Sequence, residues 1–214
     1  MKMSEIFFSI QGEGINIGVP SIFLRLSLCN LNPPCDFCDT KYAWKEEEIV
    51  SVQDVVRIIH NFDCRQLVVT GGEPMLQQKE LIEVLEELLE FSPFYEFTVE
   101  TNGTVTPEDR LLELVDIWMI SPKSPFKVDE KFFSETTRGL YLKFVVDNEK
   151  DLEEIDKFIS SPNVVAEEFF LMPQATTVKE HNEKLPFIVE HAKRYGYRVT
   201  PRLQILTWGN KRGT

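Results

Sequence analysis

Residues 22–40 read Ile-Phe-Leu-Arg-Leu-Ser-Leu-Cys-Asn-Leu-Asn-Pro-Pro-Cys-Asp-Phe-Cys-Asp-Thr. The first part, residues 22–28, is an apolar run that predicts a buried β-strand. The second part is polar, contains two adjacent prolines and carries Cys29, Cys35 and Cys38. In α/β folds, ligands bind in the loops that leave the carboxyl ends of strands. The stretch therefore predicts three thiols on a ligand-binding loop.

The spacing of these cysteines, C-x5-C-x2-C, favours a metal or cluster site. Thiolates bind zinc and iron–sulfur clusters, and structural zinc normally takes four ligands. The fourth cysteine, Cys64, lies well away in the sequence, and none of the three histidines is near the loop. Three ligands leave one coordination position open, which suits chemistry better than a structural role. A disulfide or inert buried thiols are the alternatives, and a disulfide fits poorly with an intracellular chain.

The rest of the chain alternates predicted strands and helices. Strands are predicted at residues 4–10, 22–28, 66–70, 95–100, 116–121, 140–146, 168–172 and 198–206. Helices are predicted at residues 52–59, capped by Ser51, and at 77–91, 107–114, 152–159 and 188–195, with Pro186 near the start or a kink of the last. Residues 41–48 are predicted to be irregular. Such alternation predicts an α/β fold with a parallel sheet.

Composition limits the possible classes of function. A chain of 214 residues with 43% hydrophobic residues suits one domain, residues 1–214. It contains neither an apolar run long enough for a membrane span nor a secretory h-region, so a cytoplasmic location without a membrane partner is expected. The formal net charge of −12 argues against a nucleic-acid partner, because binding to phosphates needs a basic surface.

Several short motifs occur in a fixed order along the chain. They are Ser9-Ile10-Gln11-Gly12-Glu13-Gly14, Arg25 ahead of Cys29, Cys38-Asp39-Thr40, Thr70-Gly71-Gly72-Glu73-Pro74, Glu100-Thr101-Asn102-Gly103 and Ser121-Pro122-Lys123. Together they resemble the 7-carboxy-7-deazaguanine synthase family of radical S-adenosylmethionine (SAM) enzymes, over residues 5–209. The cysteine loop departs from the commonest pattern of that superfamily, because five residues separate Cys29 from Cys35 where three are usual.

The resemblance implies a fold and a reaction. The fold would be a partial, open (β/α)6 radical SAM barrel, trimmed of some helices, in a homodimer. The reaction would convert 6-carboxy-5,6,7,8-tetrahydropterin to 7-carboxy-7-deazaguanine with loss of ammonia, in the biosynthesis of queuosine and other 7-deazapurines. The implied cofactors are a [4Fe-4S] cluster, SAM and Mg²⁺, and the implied electron donor is a flavodoxin or ferredoxin. The radical chemistry belongs to the cofactor, and the protein holds and orients the reacting parts.

The resemblance also assigns roles to individual residues. Cys29, Cys35 and Cys38 match the cluster ligands, and Thr40 matches the threonine whose hydroxyl binds Mg²⁺. The residues at SAM-binding positions are Phe37, Asp39, Gly72, Glu73, Glu100, Asn102, Ser121, Pro122, Lys123, Met172, Pro173, Gln174 and Ala175. The residues at substrate-binding positions are Ile10, Gln11, Gly12, Glu13, Arg25 and Thr70.

Several of these residues have simpler structural explanations. Gly71 and Gly72 could serve a plain strand-to-helix turn, and Thr40 could belong to an Asp-Thr turn. Ser121 could cap a helix. Arg25 is expected to bind the substrate carboxylate as a planar pair, but it could instead bridge to an acidic residue of the chain.

Two other functions stay open from the sequence. One is a radical SAM activase that abstracts hydrogen from a glycine of a partner protein, and the other is a non-catalytic zinc-binding module. Cys64 is predicted to be a small buried hydrophobic residue rather than a ligand. His60, His181 and His191 show no metal-ligand spacing and are predicted to lie at the surface.

Overall fold

A computed structural model describes residues 1–45 and 48–214. The strands are β1 (Lys2–Ile10), β2 (Pro20–Leu26), β3 (Glu48–Ile49), β4 (Gln66–Gly71), β5 (Glu96–Thr101), β6 (Ile117–Ile120), β7 (Leu140–Val146), β8 (Glu168–Pro173) and β9 (Arg198–Val199). The α-helices are α1 (Val52–His60), α2 (Gln78–Phe91), α3 (Asp109–Leu114), α4 (Glu130–Glu135), α5 (Glu149–Ile159), α6 (Val178–Tyr195) and α7 (Leu203–Trp208). Short 3₁₀ helices lie at Lys41–Trp44 and Pro74–Gln77.

All these strands form one sheet, in the order β3-β1-β2-β4-β5-β6-β7-β8-β9. The strands from β2 to β9 pair in parallel, whereas β1 and β3 pair antiparallel at one edge. The outermost strands, β3 and β9, do not pair with each other in the described part of the chain, so the sheet is open. Helices α1 to α6 each follow one of the six long parallel strands, and α3 and α4 have only six residues each. The predicted open (β/α)6 barrel with reduced helices is confirmed.

The outer helices form because each has an apolar face and a local start signal. Ser51 caps α1, since its hydroxyl accepts a hydrogen bond from the backbone N–H of Asp54. The buried side chains of α1 include Val55 and Ile59, which recur at helical spacing. Helix α1 packs on α2, and α2 packs on α3, so these helices cover one face of the sheet.

No helix in the described residues is long and apolar enough to cross a membrane.

The glycine pair at the end of β4 lies directly against the end of β2. The N–H of Gly72 donates to the carbonyl oxygen of Leu26 at 3.0 Å, and the N–H of Glu73 donates to that of Leu28 at 2.6 Å. A Cβ atom on Gly72 would lie only 1.7 Å from the carbonyl oxygen of Leu28. The backbone of Gly71 has a φ of +135°, which side chains rarely allow. The two glycines therefore hold the start of the cysteine loop against β4.

We expect Gly72→Ala to lower the free energy of unfolding by about 1–3 kcal/mol or more, because a methyl group there must displace backbone. Chemical denaturation of the purified protein measures this change. Gly18→Ala is a reference for backbone strain without a clash, since Gly18 has a φ of +88° and no atom lies within 4 Å of the position that an added Cβ would take. The loss of unfolding free energy in Gly18→Ala measures backbone strain alone, which costs about 1–2 kcal/mol. An unchanged unfolding midpoint for Gly72→Ala would contradict the close approach.

The predicted strand at residues 198–206 is wrong beyond Val199. Strand β9 ends there, and helix α7 begins at Leu203. Pro201 lies between them and has no N–H to donate to a strand ladder. The change of direction carries Arg202 into the interior, where it is 7% exposed.

The predicted helix at residues 188–195 begins ten residues earlier, at Val178. Thr177 caps it, and Glu180 completes a capping box. Pro186 lies inside the helix rather than near its start. The longer helix buries His181, which is 1% exposed, so the predicted surface position of that histidine is wrong.

The predicted irregular stretch at residues 41–48 contains the 3₁₀ helix Lys41–Trp44 and the short strand β3. Residues 46 and 47 of that stretch lie outside the described residues. His60 and His191 are half-buried, and Cys64 is half-buried against the core.

Candidate active site

One cavity of about 250 Å³ lies at the carboxyl ends of the parallel strands. The glycine-rich loop after β1, the cysteine loop after β2 and the ends of the later strands all contribute to its wall. The residues predicted from the sequence to form the site line this cavity, with the exceptions of Glu73, Pro122 and Ala175. Folding therefore brings together motifs that are far apart in the sequence.

The three cysteines of the loop line the same cavity as free thiols. Burial raises the pKa of Cys29 and of Cys35, and a negative charge on Cys38 raises both further. Thiolates at these positions therefore repel one another, and a cationic metal centre between them would be stabilised. In residues 1–45 and 48–214, no three acidic, histidine or cysteine side chains already stand at metal-binding distances. A cluster held by this loop would draw the three sulfurs closer together.

A half-buried lysine lies beside the cysteine loop. The Nζ atom of Lys123 donates a hydrogen bond of 2.5 Å to the hydroxyl of Ser121. Burial lowers the pKa of Lys123, and negative charge on Cys35 and Cys38 opposes that shift. The loop therefore has a cation of the protein itself next to its thiols, which helps to balance negative charge there.

Glu13 of the glycine-rich loop is surrounded by donors. Its Oε2 atom accepts from Nζ of Lys143 at 2.6 Å, and its Oε1 atom accepts from Nε of Arg202 at 3.0 Å and from Nε2 of Gln204 at 2.6 Å. Burial raises the pKa of Glu13, but the positive charges of Lys143 and Arg202 lower it more, so the pKa lies well below its usual range. A carboxylate offers about four acceptor positions, so these bonds leave room for about one further donor.

Glu100 links the predicted substrate residues to Lys143. Its Oε2 atom accepts from the hydroxyl of Thr70 at 2.9 Å, and its Oε1 atom accepts from Nε2 of Gln11 at 3.3 Å. The Nζ atom of Lys143 lies 3.6 Å from the same Oε1 atom. Burial alone would lower the pKa of Lys143, but the charges of Glu100 and Glu13 raise it above its usual value. Lys143 is therefore a permanent cation within the cavity.

Arg25 lines the cavity and also makes the salt bridge that the sequence left open as an alternative. Its Nε atom lies 2.8 Å from Oε1 of Glu5, its neighbour across the β1–β2 pair. Its guanidinium carbon lies 5.8 Å from the ring centre of Phe7. A guanidinium has five N–H donors in a fixed plane, so a bridge through Nε is compatible with binding a second carboxylate.

Glu5 also anchors the C-terminal residues. It accepts hydrogen bonds from the hydroxyl of Tyr42 at 2.8 Å and from Nε of Arg212 at 3.0 Å. Burial raises its pKa, but these two bonds and the charge of Arg25 lower it more. Burial, with the neighbouring Glu5, raises the pKa of Tyr42 to about 12. Through these contacts the tail reaches the cavity, and Thr214 forms part of its wall.

Thr40 lines the cavity just after the last cysteine of the loop. Its backbone carbonyl accepts from the N–H of Ala43 at 2.9 Å, so a turn is present as well. Its side chain, however, makes no capping bond to the 3₁₀ helix that follows. The hydroxyl oxygen lies 3.5 Å from Sγ of Cys38. The turn therefore uses the backbone of Thr40, and the hydroxyl oxygen remains available to a cation.

Glu73, one of the predicted SAM-binding residues, is fully buried outside the cavity wall. Its Oε1 atom accepts from the hydroxyl of Thr101 at 2.6 Å and from the N–H of Met75 at 3.1 Å, and its Oε2 atom accepts from the N–H of Asn102 at 2.8 Å. Burial raises the pKa of this carboxyl. Hydroxyl and backbone N–H groups of the chain thus donate to both carboxylate oxygens of Glu73. These bonds hold the end of β4 against the end of β5.

Several cavity residues were not predicted from the sequence: Lys143, Arg202, Gln204 and Thr214. Lys143 carries a usable signal, because a lysine inside the apolar strand β7 must find a charged partner when buried. Arg202 and Gln204 carry no such signal in the sequence. Their segment has no local pattern that distinguishes a strand from a turn followed by a helix.

Comparison with known proteins identifies the family. Residues 26–148 match the model of the Radical SAM superfamily. The 7-carboxy-7-deazaguanine synthase of Pyrobaculum aerophilum is 38% identical over 100% of this chain and 97% of its own length. The synthase of the same name from Rhodopirellula baltica is 33% identical over 100% of this chain and 89% of its own length.

Solved structures share the fold. The crystal structure of QueE from Escherichia coli aligns with a TM-score of 0.71 and 23% identity, over 94% of this chain and 93% of that chain. SuiB from Streptococcus suis, bound to S-adenosylmethionine, aligns with a TM-score of 0.59 and 14% identity, over 85% of this chain and 53% of that chain. The fold, the cavity and the two full-length relatives agree: this chain belongs to the 7-carboxy-7-deazaguanine synthase family of the Radical SAM superfamily.

Proposed function

We propose that this protein is a radical SAM lyase that converts 6-carboxy-5,6,7,8-tetrahydropterin to 7-carboxy-7-deazaguanine with loss of ammonia. The observation that carries the proposal is the content of one cavity, which holds the three-cysteine loop together with Arg25 and the charged residues around Glu13. The reaction would serve the biosynthesis of queuosine and other 7-deazapurines. Family membership favours this lyase over a glycyl-radical activase and over a zinc-binding module.

We assign the substrate to the side of the cavity formed by β1, β2 and the glycine-rich loop. Arg25 would bind the substrate carboxylate through the terminal nitrogens of its guanidinium, while Nε keeps the bridge to Glu5. Glu13 would use its remaining acceptor position for an N–H of the pterin ring. The further substrate contacts would come from Ile10, Gln11, Gly12 and Thr70.

The Radical SAM family implies a [4Fe-4S] cluster and SAM. Cys29, Cys35 and Cys38 would hold the cluster, which supplies the electron that cleaves SAM. The residues placed to contact SAM are Phe37, Asp39, Gly72, Glu100, Asn102, Ser121, Lys123, Met172, Pro173 and Gln174. Glu73, Pro122 and Ala175 would act from behind the cavity wall by holding these residues in position.

Anaerobic turnover tests the proposal. The protein is reconstituted with iron and sulfide and mixed with SAM, Mg²⁺, a reductant and the carboxy-pterin. We expect 7-carboxy-7-deazaguanine and ammonia in equal amounts, with SAM regenerated rather than consumed. SAM cleavage without any change in the pterin would overturn the assignment. Zinc in place of iron and sulfide, after anaerobic purification, would favour the zinc-binding module.

We further propose that the hydroxyl of Thr40 binds Mg²⁺ together with oxygens of the substrate. Magnesium prefers oxygen ligands and keeps several waters, so one protein oxygen is sufficient. We expect Thr40→Val to lower turnover at least about tenfold, because valine keeps the shape and removes the oxygen, and a bound metal ion supplies several kcal/mol of transition-state stabilisation. Cluster absorbance and the dissociation constant of SAM are expected to stay at wild-type values. Equal turnover rates with Mg²⁺ and after thorough chelation would reject the site.

The resemblance to the family also supports proposals about the setting of the reaction. We propose that residues 1–214 act as one domain, in a cytoplasmic homodimer that receives electrons from a flavodoxin or ferredoxin. Sedimentation of the purified protein tests the dimer. Replacement of the chemical reductant by each donor protein and its reductase tests the electron source.

A further inference from the structure

The segment 200–204, between β9 and the first turn of α7, packs against the glycine-rich loop. The N–H of Gly14 donates to the hydroxyl of Thr200 at 2.7 Å. The N–H of Leu203 donates to the carbonyl oxygen of Gly12 at 3.0 Å. A Cβ atom on Gly12 would lie 1.9 Å from Oε1 of Gln204, so the two segments are in close contact. The position of the loop that carries Glu13 therefore depends on this segment.

Arg202, in the middle of this segment, joins three parts of the cavity wall. Its Nε atom donates to Oε1 of Glu13 in the glycine-rich loop at 3.0 Å. One terminal nitrogen forms an ion pair with Asp39, directly after the last cysteine of the loop. The other terminal nitrogen donates to the carbonyl oxygen of Ala175, two residues after the end of β8 and directly after the cavity residue Gln174. Each of the three nitrogens of the guanidinium thus has a partner inside the protein.

The geometry of arginine makes these three contacts interdependent. The guanidinium is planar and rigid, so its donors keep fixed directions relative to one another. The side chain of Arg202 is 9% exposed, and the side chain of Glu13 is 12% exposed, so water cannot easily replace a lost contact. A shift of Asp39, whose side chain is 31% exposed, or of the buried Ala175 must either move the guanidinium, and Glu13 with it, or break a bond of the guanidinium. Lysine has a point charge in place of the fork and cannot hold all three acceptors.

We propose that Arg202 is a positioning residue that couples the binding of SAM to the binding of the pterin substrate. The inference rests on the proposed function, which places the substrate at Glu13 and SAM beside Asp39 and the end of β8. SAM would fix the segments that carry Asp39 and Ala175, and Arg202 would then hold Glu13 in the position that accepts the pterin. By thermodynamic reciprocity, the substrate must strengthen the binding of SAM by the same factor.

Binding measurements without reductant test the coupling, because no SAM is cleaved under those conditions. The dissociation constant of SAM is measured for the cluster-reconstituted protein, with and without saturating carboxy-pterin. We expect the pterin to tighten SAM binding about fivefold or more in the wild type, the usual range for coupled sites. In Arg202→Lys we expect the factor to fall below about twofold, while each ligand alone still binds.

Arg110→Lys is the matched control. Arg110 also bridges two carboxylates, Glu86 and Glu113, but on the outer surface away from the cavity. This variant is expected to keep the wild-type coupling factor. Cluster absorbance and the unfolding midpoint are recorded for every variant. Should Arg202→Lys fail to fold, Asp39→Asn decides the question, because it weakens one end of the same connection and leaves Arg202 in place. Since Asp39 is also placed to contact SAM, only the ratio of the SAM dissociation constants with and without the pterin is compared for this variant.

The outcomes separate the two proposals. A wild-type protein that binds no carboxy-pterin would overturn the proposed function, and the coupling with it. A wild-type protein that binds both ligands without mutual influence would overturn only the coupling. The same conclusion follows if Arg202→Lys, or Asp39→Asn in its place, keeps the full wild-type factor.

Discussion

Alanine at Cys29, Cys35 or Cys38 is expected to abolish the visible absorbance of the reconstituted cluster and all cleavage of SAM. Each sulfur would hold one iron of the cluster. The loop contains three cysteines, so the loss of one would leave the cluster with two of its protein ligands. The thiols line one cavity, and burial raises the pKa of Cys29 and of Cys35, with the negative charge of Cys38 raising both further. Iron content, sulfide content and the absorbance spectrum after anaerobic reconstitution measure the loss.

Cys64→Ala is the matched control for these variants. Cys64 is half-buried against the core, and its Sγ atom lies 3.4 Å from the carbonyl oxygen of Pro20, at the far end of β2 from the loop. This variant is expected to keep the full iron content and SAM cleavage, with only a small loss of stability. Loss of iron from Cys64→Ala alone would show that the ligand assignment is wrong.

Arg25→Lys is expected to raise the Michaelis constant for the carboxy-pterin sharply and to leave the dissociation constant of SAM unchanged. The ammonium of lysine can keep the bridge to Glu5 or meet the substrate carboxylate, but it cannot form a planar pair while it holds Glu5. Loss of one such buried charged contact costs about 2–5 kcal/mol in binding. Steady-state kinetics at varied pterin concentration, with SAM saturating, measures the effect.

Arg65→Lys is the control for the loss of a guanidinium near an aromatic ring, at a position directly before β4. The guanidinium carbon of Arg65 lies 5.2 Å from the ring centre of Tyr95, as that of Arg25 lies near Phe7, but Arg65 does not line the cavity. Its kinetic constants are expected to match the wild type. If Arg25→Lys binds the carboxy-pterin as tightly as the wild type, the substrate pocket is misplaced and the activase alternative gains support.

The sequence alone determined the features that depend on local interactions. Most of the apolar run at residues 22–28 lies in β2, which ends at Leu26, three residues before the first cysteine of the loop, and Ser51 became the cap of α1. The alternation of strands and helices predicted the parallel sheet, because a helical crossover is the usual connection between parallel neighbours. Such patterns are readable because the interacting groups lie within a few residues of one another.

The resemblance to a family predicted the residues of the site, and most of these residues line the cavity. The roles of two residues in the motif Thr70-Gly71-Gly72-Glu73-Pro74 depended on contacts that the sequence does not show. Gly72 meets the backbone of Leu28, and Glu73 meets donors from β5 and its own turn. Apart from the N–H of Met75 in the same turn, these partners come from segments far along the chain, which no local pattern specifies.

Only the tertiary structure decided how the charges of the cavity are paired. Lys143 and Glu13 are 130 residues apart in the sequence, and Arg202 and Glu13 are 189 residues apart. Neither pair follows a helical or strand period, and the bend at Pro201 that carries Arg202 inward was itself missed. Charged side chains removed from water must find partners wherever the fold brings them together. The pairing of these charges therefore depends on how the whole sheet packs, and no short-range pattern in the sequence predicts it.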